Sequence, residues 1–158
     1  MKVAIGSDNF GFALKVRVSA HLAEAGHEVV DFGCHDESPV DYPDIALKVA
    51  EAVAGGAFAR AILICGTGLG MAIVANKVPG VRAAAVSDPY SAERAVKSNN
   101  AQILCLGGLV VGAEVAPLLV DHWLSSNFAG GRSTAKVEKI KAIDKRYRNP
   151  VTVDAGPS

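Results

Sequence analysis

The chain alternates between two patterns of hydrophobic and polar positions. Apolar runs of about four to seven residues, typical of buried strands, are separated by longer stretches in which apolar residues recur at helical intervals. The predicted strands span residues 2–6, 28–31, 61–65, 82–86 and 102–106. The predicted helices span residues 12–25, 43–54, 69–77, 89–97, 110–124 and 134–147.

This alternation predicts an α/β fold, a Rossmann-like three-layer α/β/α sandwich. We expect a five-stranded parallel sheet with right-handed crossovers, helices on both faces and two further C-terminal helices. The 158 residues, of which 50% are hydrophobic, fit one domain with a full core. We assign residues 1–148 to this domain and expect residues 149–158, which lack periodicity, to form a flexible tail.

Composition excludes several classes of partner. The 16 basic residues balance 16 acidic ones, so no net field favours nucleic acid or an anionic membrane surface. The sequence has no secretory leader and no run near the roughly 20 apolar residues that span a bilayer, so we expect a cytoplasmic protein. Its cysteines, Cys34, Cys65 and Cys105, form no CxxC pair and are expected to be reduced thiols.

The carboxyl ends of parallel strands are where open α/β sheets bind ligands. The stretch AILICGTGLGMAIVANK places Gly66, Gly68 and Gly70 there, between a strand and a helix. Without Cβ atoms, their amides can face an anion. A dinucleotide fingerprint is disfavoured because GTGLG lacks the GxGxxG spacing, and a Walker loop is excluded because no GK[ST] follows. A tight turn alone remains the structural alternative.

Cys65 changes this picture, because it ends the strand directly before the glycines. A cysteine there is often only a buried apolar residue. A thiol beside a helix N-terminus, however, ionises more readily than one in bulk water. A thiolate next to inward-facing amides is a general base beside an oxyanion-stabilising site.

Residues 65–84, CGTGLGMAIVANKVPGVRAA, resemble the signature CGTGxGxxxxANKxxGxRAA of the ribose 5-phosphate isomerase B and galactose 6-phosphate isomerase family. The likeness covers most of the chain, through the blocks GSDNFGFALK, DYP, SNNAQILCLGG and GGRSTAKVEKI. It implies interconversion of an aldose phosphate and a ketose phosphate through a cis-enediolate, with no metal or organic cofactor. The resemblance implies that Cys65 is the base and that Thr67 helps transfer the hydroxyl protons.

The resemblance also implies a set of substrate contacts. These are Asp8, Asn9, Gly66, Gly68, Leu69, Gly70, Asn99, Arg132 and Lys136. Asp8 could instead cap the helix that starts near Gly11, and Asn99 could simply end the helix before it. Arg132 and Lys136 lie four residues apart on one helix face, which fits a phosphate site or a solvated basic face. In the family this arm reaches a neighbouring subunit, so we expect a homodimer or tetramer with the active site at the interface.

Five positions depart from the family pattern. The family usually has histidine at three positions where this chain has Asn9, Ser98 and Ser133. It usually has arginine at two positions where this chain has Leu109 and Lys136. The family histidine at the position of Ser98 opens the furanose ring, a step that serine cannot perform near neutral pH. A tetrose 4-phosphate has no ring to open, because its O4 is blocked. The departures therefore favour a short acyclic sugar phosphate.

Three other interpretations remain. The chain could be an orthodox ribose 5-phosphate/ribulose 5-phosphate isomerase of the pentose phosphate pathway, a non-catalytic sugar-phosphate-binding subunit of a paired isomerase, or a nucleotide-binding module. Of its four histidines, only His35 is placed to approach the ligand side and replace the missing one. A structural zinc site at Cys34 and His35 is rejected, because no second ligand pair has suitable spacing.

Overall fold

All five predicted strands form, and they pair in parallel within one sheet. The computed structural model describes residues 1–148, so the predicted tail at 149–158 lies outside the described residues. The strands are β1 (Lys2–Ser7), β2 (Glu28–Asp31), β3 (Arg60–Cys65), β4 (Ala83–Ala85) and β5 (Ile103–Gly107). Their order across the sheet is β2-β1-β3-β5-β4. The predicted fold class is confirmed.

Helices connect the strands and follow the last one. They are α1 (Phe12–Glu24), α2 (Tyr42–Ala54), α3 (Leu69–Ala75), α4 (Pro89–Lys97), α5 (Ala116–Leu124) and α6 (Arg132–Arg148). Within residues 1–148, no helix combines the length and apolar character that crossing a bilayer requires.

The core lies in two layers, one on each face of the sheet. Strand side chains such as Ile62 and Leu104 pack against α1, α4 and α5, where the fully buried Trp123 sits. On the other face, Leu63 and Cys65 pack against α2 and α3. Neighbouring strand residues point to opposite faces. Burial on both faces therefore explains why the strands read as continuous apolar runs.

The predicted start of α5 is wrong. The sequence favoured a helix over residues 110–124, whereas α5 begins at Ala116. The amides of Val110 and Val111 both donate to the carbonyl of Gly107, which closes a turn directly after β5. Pro117 in the first turn of α5 fits the later start. The apolar residues 109–111 resembled helix because a tight turn leaves no mark on hydrophobic spacing.

Loops at the carboxyl ends of β1, β3 and β5 touch backbone to backbone. A Cβ added to Gly11 would lie 2.5 Å from the carbonyl oxygen of Ile64, and one added to Gly108 would lie 2.5 Å from that of Phe10. The sheet order reverses direction between β1 and β3, which is the switch point where such sheets leave a crevice. Glycine therefore brings three loops together at this crevice.

We predict that Gly11→Ala destabilises the protein by roughly 1–3 kcal/mol, because the new methyl overlaps the Ile64 carbonyl. Gly112→Ala is the matched control, since its Cβ would have its nearest neighbour at 3.8 Å. Urea unfolding of both variants measures the effect. Equal stability of the two variants would contradict the close backbone contact.

Candidate active site

Cys65 lies at the end of β3 with its sulfur against the loop that follows. The residue is 4% exposed, and its Sγ accepts a hydrogen bond from the backbone amide of Gly68 at 3.2 Å. Gly68 has φ 79°, and a Cβ there would lie 2.9 Å from the Leu106 carbonyl carbon. The loop thus requires glycine at this position in order to aim an N–H donor at the sulfur.

Thr67 stands on the outer side of the same loop. Its side chain is exposed, and its Oγ1 accepts a hydrogen bond from the amide of Leu69 at 3.3 Å. The loop is held between two neighbours. A Cβ added to Gly107 would lie 2.8 Å from the Thr67 backbone, and one added to Gly70 would lie 2.6 Å from the ring of Tyr42. The glycines therefore fix where Thr67 stands.

A cavity of about 250 Å³ opens beside Thr67, at the carboxyl ends of β4 and β5. Its lining residues are Thr67, Leu69, Ala85, Val86, Ser87, Gly107 and Val110. Cys65 is not among them. Phe10 and Leu109, both largely exposed, lie next to Gly66 and make the rim of the loop apolar.

Asp8 and Asn9 follow β1 at the same edge of the sheet. Asp8 is 5% exposed, and its Oδ1 accepts a hydrogen bond from the amide of Gly11 at 3.0 Å. Burial raises the pKa of Asp8, while backbone N–H groups of Gly11 and Phe10 act in the opposite direction. Asn9 accepts a hydrogen bond from the amide of Val40 at 3.3 Å. Asp8 thus shapes the turn before α1 without capping the helix, whose N-cap residue is Gly11 with no side-chain cap bond, and both side chains tie loops together at this edge.

A buried lysine supports this edge, and the sequence interpretation missed it. Lys15 is 1% exposed, and its Nζ donates to both carboxylate oxygens of Asp31, at 2.8 and 2.7 Å, and to the carbonyl of Cys34. The carbonyl of Gly33 then accepts a hydrogen bond from Ser7 at 2.7 Å. Lys15 therefore braces the segment after β2 against the end of β1. One signal was available, because Lys15 falls on the buried stripe of α1.

His35 lies on the outer edge of the sheet. Its side chain is 73% exposed, and its Nδ1 lies 3.8 Å from Asp31 Oδ2. It follows β2, an edge strand of the sheet. Because β1 lies between β2 and β3, the strand that carries Cys65 is two strand spacings away from β2, about 10 Å. The charged neighbours of His35 include Asp31 and the adjacent Asp36, and the strand that it follows is not next to the strand that carries Cys65. Within residues 1–148, no cluster of three acidic, cysteine or histidine side chains could hold a metal ion.

Asn99 lies at the opposite end of the sheet from Cys65. It follows α4, which returns antiparallel to the strands, and it precedes β5. In the β3–β5 register Ile103 pairs with Ala61, four residues before Cys65, so the two ends are at least about 13 Å apart along the strands. Asn99 is exposed.

The basic pair also belongs to this second end. Arg132 and Lys136 are exposed in the first two turns of α6. The segment before α6 is joined to the end of α4 by a hydrogen bond from the Ala129 amide to the Lys97 carbonyl, 3.2 Å. The predicted site residues of one chain therefore fall into two groups, which we call half-sites. The first half-site comprises Cys65, Thr67 and Asp8 at the carboxyl ends, and the second comprises Asn99, Arg132 and Lys136 at the amino ends.

Comparison with known proteins identifies the family of this chain. A family model described as Ribose/Galactose Isomerase matches residues 3–140. A Listeria innocua protein named Ribose-5-P isomerase B is 51% identical, over 94% of this chain and 100% of the relative. The D-erythrulose-4-phosphate isomerase of Pectobacterium atrosepticum is 47% identical, over 89% and 93%. The solved structure of Clostridium thermocellum ribose-5-phosphate isomerase B matches with a TM-score of 0.91 and 51% identity, over 93% and 99%. The resemblance in the signature residues is thereby confirmed, and this chain belongs to the ribose/galactose isomerase family of aldose–ketose isomerases.

Proposed function

We propose that this protein isomerises a short phosphorylated sugar through a cis-enediolate, with Cys65 as the base. The observation that carries the proposal is the Gly68 amide directed at Cys65 Sγ, because it places a hydrogen-bond donor on the atom that would accept the substrate proton.

Three proton transfers complete the reaction. Cys65 Sγ takes the proton from the carbon next to the carbonyl, the electrons of that C–H bond form the carbon–carbon double bond of the enediolate, and the carbonyl π electrons move onto oxygen. Thr67 assists in moving the hydroxyl proton between the two oxygens, and Sγ returns its proton to the neighbouring carbon. The redox change stays within the sugar, so the balance needs no cofactor.

The negative charge that develops on oxygen needs donors. In our proposal the amides of Gly66 and Gly70 supply them, while Leu69 covers the substrate beside Thr67. The Gly68 amide is already engaged by the sulfur. Removing one donor from such a site typically costs about 100-fold or more in rate. Asp8 accepts from the sugar hydroxyls through its remaining carboxylate oxygen, and Asn9 borders the same edge.

A second copy of the chain completes the site in this proposal. Asn99 lies at least about 13 Å along the strands from the carboxyl end that carries Cys65. The segment before Arg132 is tied to the same amino end by the hydrogen bond from the Ala129 amide to the Lys97 carbonyl. A four- or five-carbon sugar phosphate cannot bridge that separation within one chain. A homodimer, or a tetramer built from such pairs, would let the second half-site of one copy close over the first half-site of another.

The substrate that we propose is a tetrose 4-phosphate. Ser98 occupies the position of the family's ring-opening histidine, and its Oγ accepts hydrogen bonds from Arg94 Nε at 2.9 Å and Nη2 at 2.6 Å. A serine held in this way offers no base for opening a furanose ring, which a tetrose 4-phosphate does not have. A ribose 5-phosphate substrate is the alternative, and relatives of both kinds were found.

The first prediction from the proposed function concerns the base. Cys65→Ala should abolish incorporation of solvent deuterium at C1 or C2 when the protein is incubated in D₂O with erythrose, erythrulose, ribose and ribulose phosphates, read by NMR. Cys105→Ala is the control, since burial and the neighbouring Cys65 raise the pKa of the Cys105 thiol and keep it protonated. Exchange that continues in Cys65→Ala would refute the cysteine base. No exchange with the unmodified chain would favour a non-catalytic subunit.

A second prediction concerns the substrate. The unmodified protein should turn over tetrose 4-phosphates faster than ribose 5-phosphate. Ser98→His should raise kcat/KM for ribose 5-phosphate by about 100-fold, the usual contribution of a placed general acid or base, and leave tetrose turnover nearly unchanged. Ribose 5-phosphate turning over as fast as the tetroses before the substitution would point to the orthodox isomerase.

A third prediction concerns the shared site. Cys65→Ala and the double variant Arg132→Ala/Lys136→Ala should each be inactive at low substrate concentration. Co-expressed, they form mixed pairs in which one site is whole, so activity should return. Each variant co-expressed with itself is the control. A mixture that forms mixed pairs, shown by native mass spectrometry, yet stays inactive would place all site residues on one chain.

A further inference from the structure

The second half of the signature, ANKVPGVRAA, lies away from the glycine loop. It begins at the end of α3 and enters β4, at the same end of the sheet as Asn99. The Asn76 side chain donates to the carbonyls of Ala72 and Ala83 and accepts from the amide of Ala83, each at 2.9 Å. These bonds fix the start of the edge strand β4. The residue just before that strand is Arg82.

Arg82 holds the turn between α4 and β5. Its Nε donates to the backbone carbonyls of Asn99, at 3.1 Å, and Asn100, at 3.0 Å. Its own amide donates to Gln102 Oε1 at 2.8 Å. Gln102 Nε2 in turn donates to the carbonyl of Gly80 at 3.0 Å, and Arg82 Nη1 reaches the same carbonyl at 3.3 Å. The guanidinium thus has the turn on one side and the loop before β4 on the other.

The turn needs this support. Asn100 has φ 49°, and among residues 1–148 it is the one non-glycine residue with a positive φ. The left-handed conformation is uncommon for residues with a Cβ, although asparagine adopts it more readily than most. It directs two consecutive carbonyls, of Asn99 and Asn100, towards one cation, while the side chain of Asn99 stays exposed. The guanidinium therefore fixes the backbone from which that side chain projects.

The same loop anchors the helix that carries the basic pair. The amide of Gly80 donates to Asp144 Oδ2 on α6 at 2.7 Å. Burial lowers the pKa of Arg82, and the negative charges of Glu138 and Asp144, both on α6, act in the opposite direction. Residues 80–82 are thus a common support for the turn with Asn99 and for the helix with Arg132.

We infer that Arg82 is a positioning residue, which aims Asn99 at the substrate held by Cys65 of a second copy. The inference rests on the proposed function and adds to it the residue through which the amino-end half-site is aligned. The guanidinium donates to the backbone carbonyls of Gly80, Asn99 and Asn100, so the inference assigns it no contact with the substrate. Its effect on turnover is then expected to pass through the Asn99 side chain.

A double-mutant cycle isolates that coupling. Asn99→Ala removes the side chain and keeps the carbonyl that Arg82 binds, whereas Arg82→Gln removes the guanidinium and keeps the Asn99 amide. We expect each single variant to lower kcat by about 10- to 100-fold with little change in KM, because a displacement of about 1 Å can cost about 100-fold. In the Asn99→Ala background, Arg82→Gln should cost less than about threefold more.

Arg60→Gln is the matched control. Arg60 is also partly buried, and its guanidinium donates to backbone carbonyls of Ala101, at 3.2 Å, and Ser126, at 3.0 Å, so these hydrogen bonds do not involve residues 98–100. It should lower the melting temperature and leave kcat near that of the unmodified chain. Arg82→Lys should recover part of the lost kcat, because an ammonium can reach one of the two carbonyls without the planar fork of arginine.

The assay is deuterium incorporation from D₂O with D-erythrose 4-phosphate and with D-ribose 5-phosphate, alongside circular dichroism melting of every variant. Losses in kcat that multiply in the double variant, or a loss in Arg60→Gln equal to that in Arg82→Gln, would overturn the inference while leaving the proposed function standing. An Asn99→Ala variant with full activity would overturn the proposed role of Asn99 and this inference with it. Full activity in Cys65→Ala would overturn the proposed function itself.

Discussion

Parallel strands give every chain of this fold two chemically different ends, and that constraint governs the site. Loops that leave the carboxyl ends can approach Cys65, while the segments that return through α4 and α5 arrive at the amino ends. The cations on α6 and the side chain of Asn99 are therefore separated from the thiol by the sheet itself. In the proposed assembly, pairing of two copies turns this separation into a closed site, because each copy offers the half that the other lacks.

The carboxyl-end half-site depends on backbone packing more than on side chains. Gly11 and Gly108 let three loops meet with no Cβ between them, and Gly68 turns its amide onto the sulfur because it can adopt a positive φ. Side chains then complete the edge, with Lys15 holding the segment after β2 from within the core. Small changes in the glycines would move the donor as well as the loop, so structure and chemistry are coupled at this edge.

Sequence patterns were sufficient for the layered fold, because strands buried on both faces leave short continuous apolar runs between longer stretches with helical spacing. They also located the glycine loop and Cys65, since a thiol between a strand and GTGLG is an unusual local feature. The start of α5 was missed because the apolar residues 109–111 form a turn. Lys15 and Arg82 were missed because their partners, Asp31 and the carbonyls of Asn99 and Asn100, are distant in sequence or belong to the backbone.

The Lys15 brace has a consequence for chemical labelling. An amine-specific acylating reagent modifies the many exposed lysines at once, but it meets Lys15 only when α1 separates from the segment after β2, since that amine is 1% exposed and bound to a carboxylate. The rate at which this single site is acylated would therefore report how often α1 separates from β2 and the segment that follows it. Optical probes that average over the whole domain do not resolve such a local event.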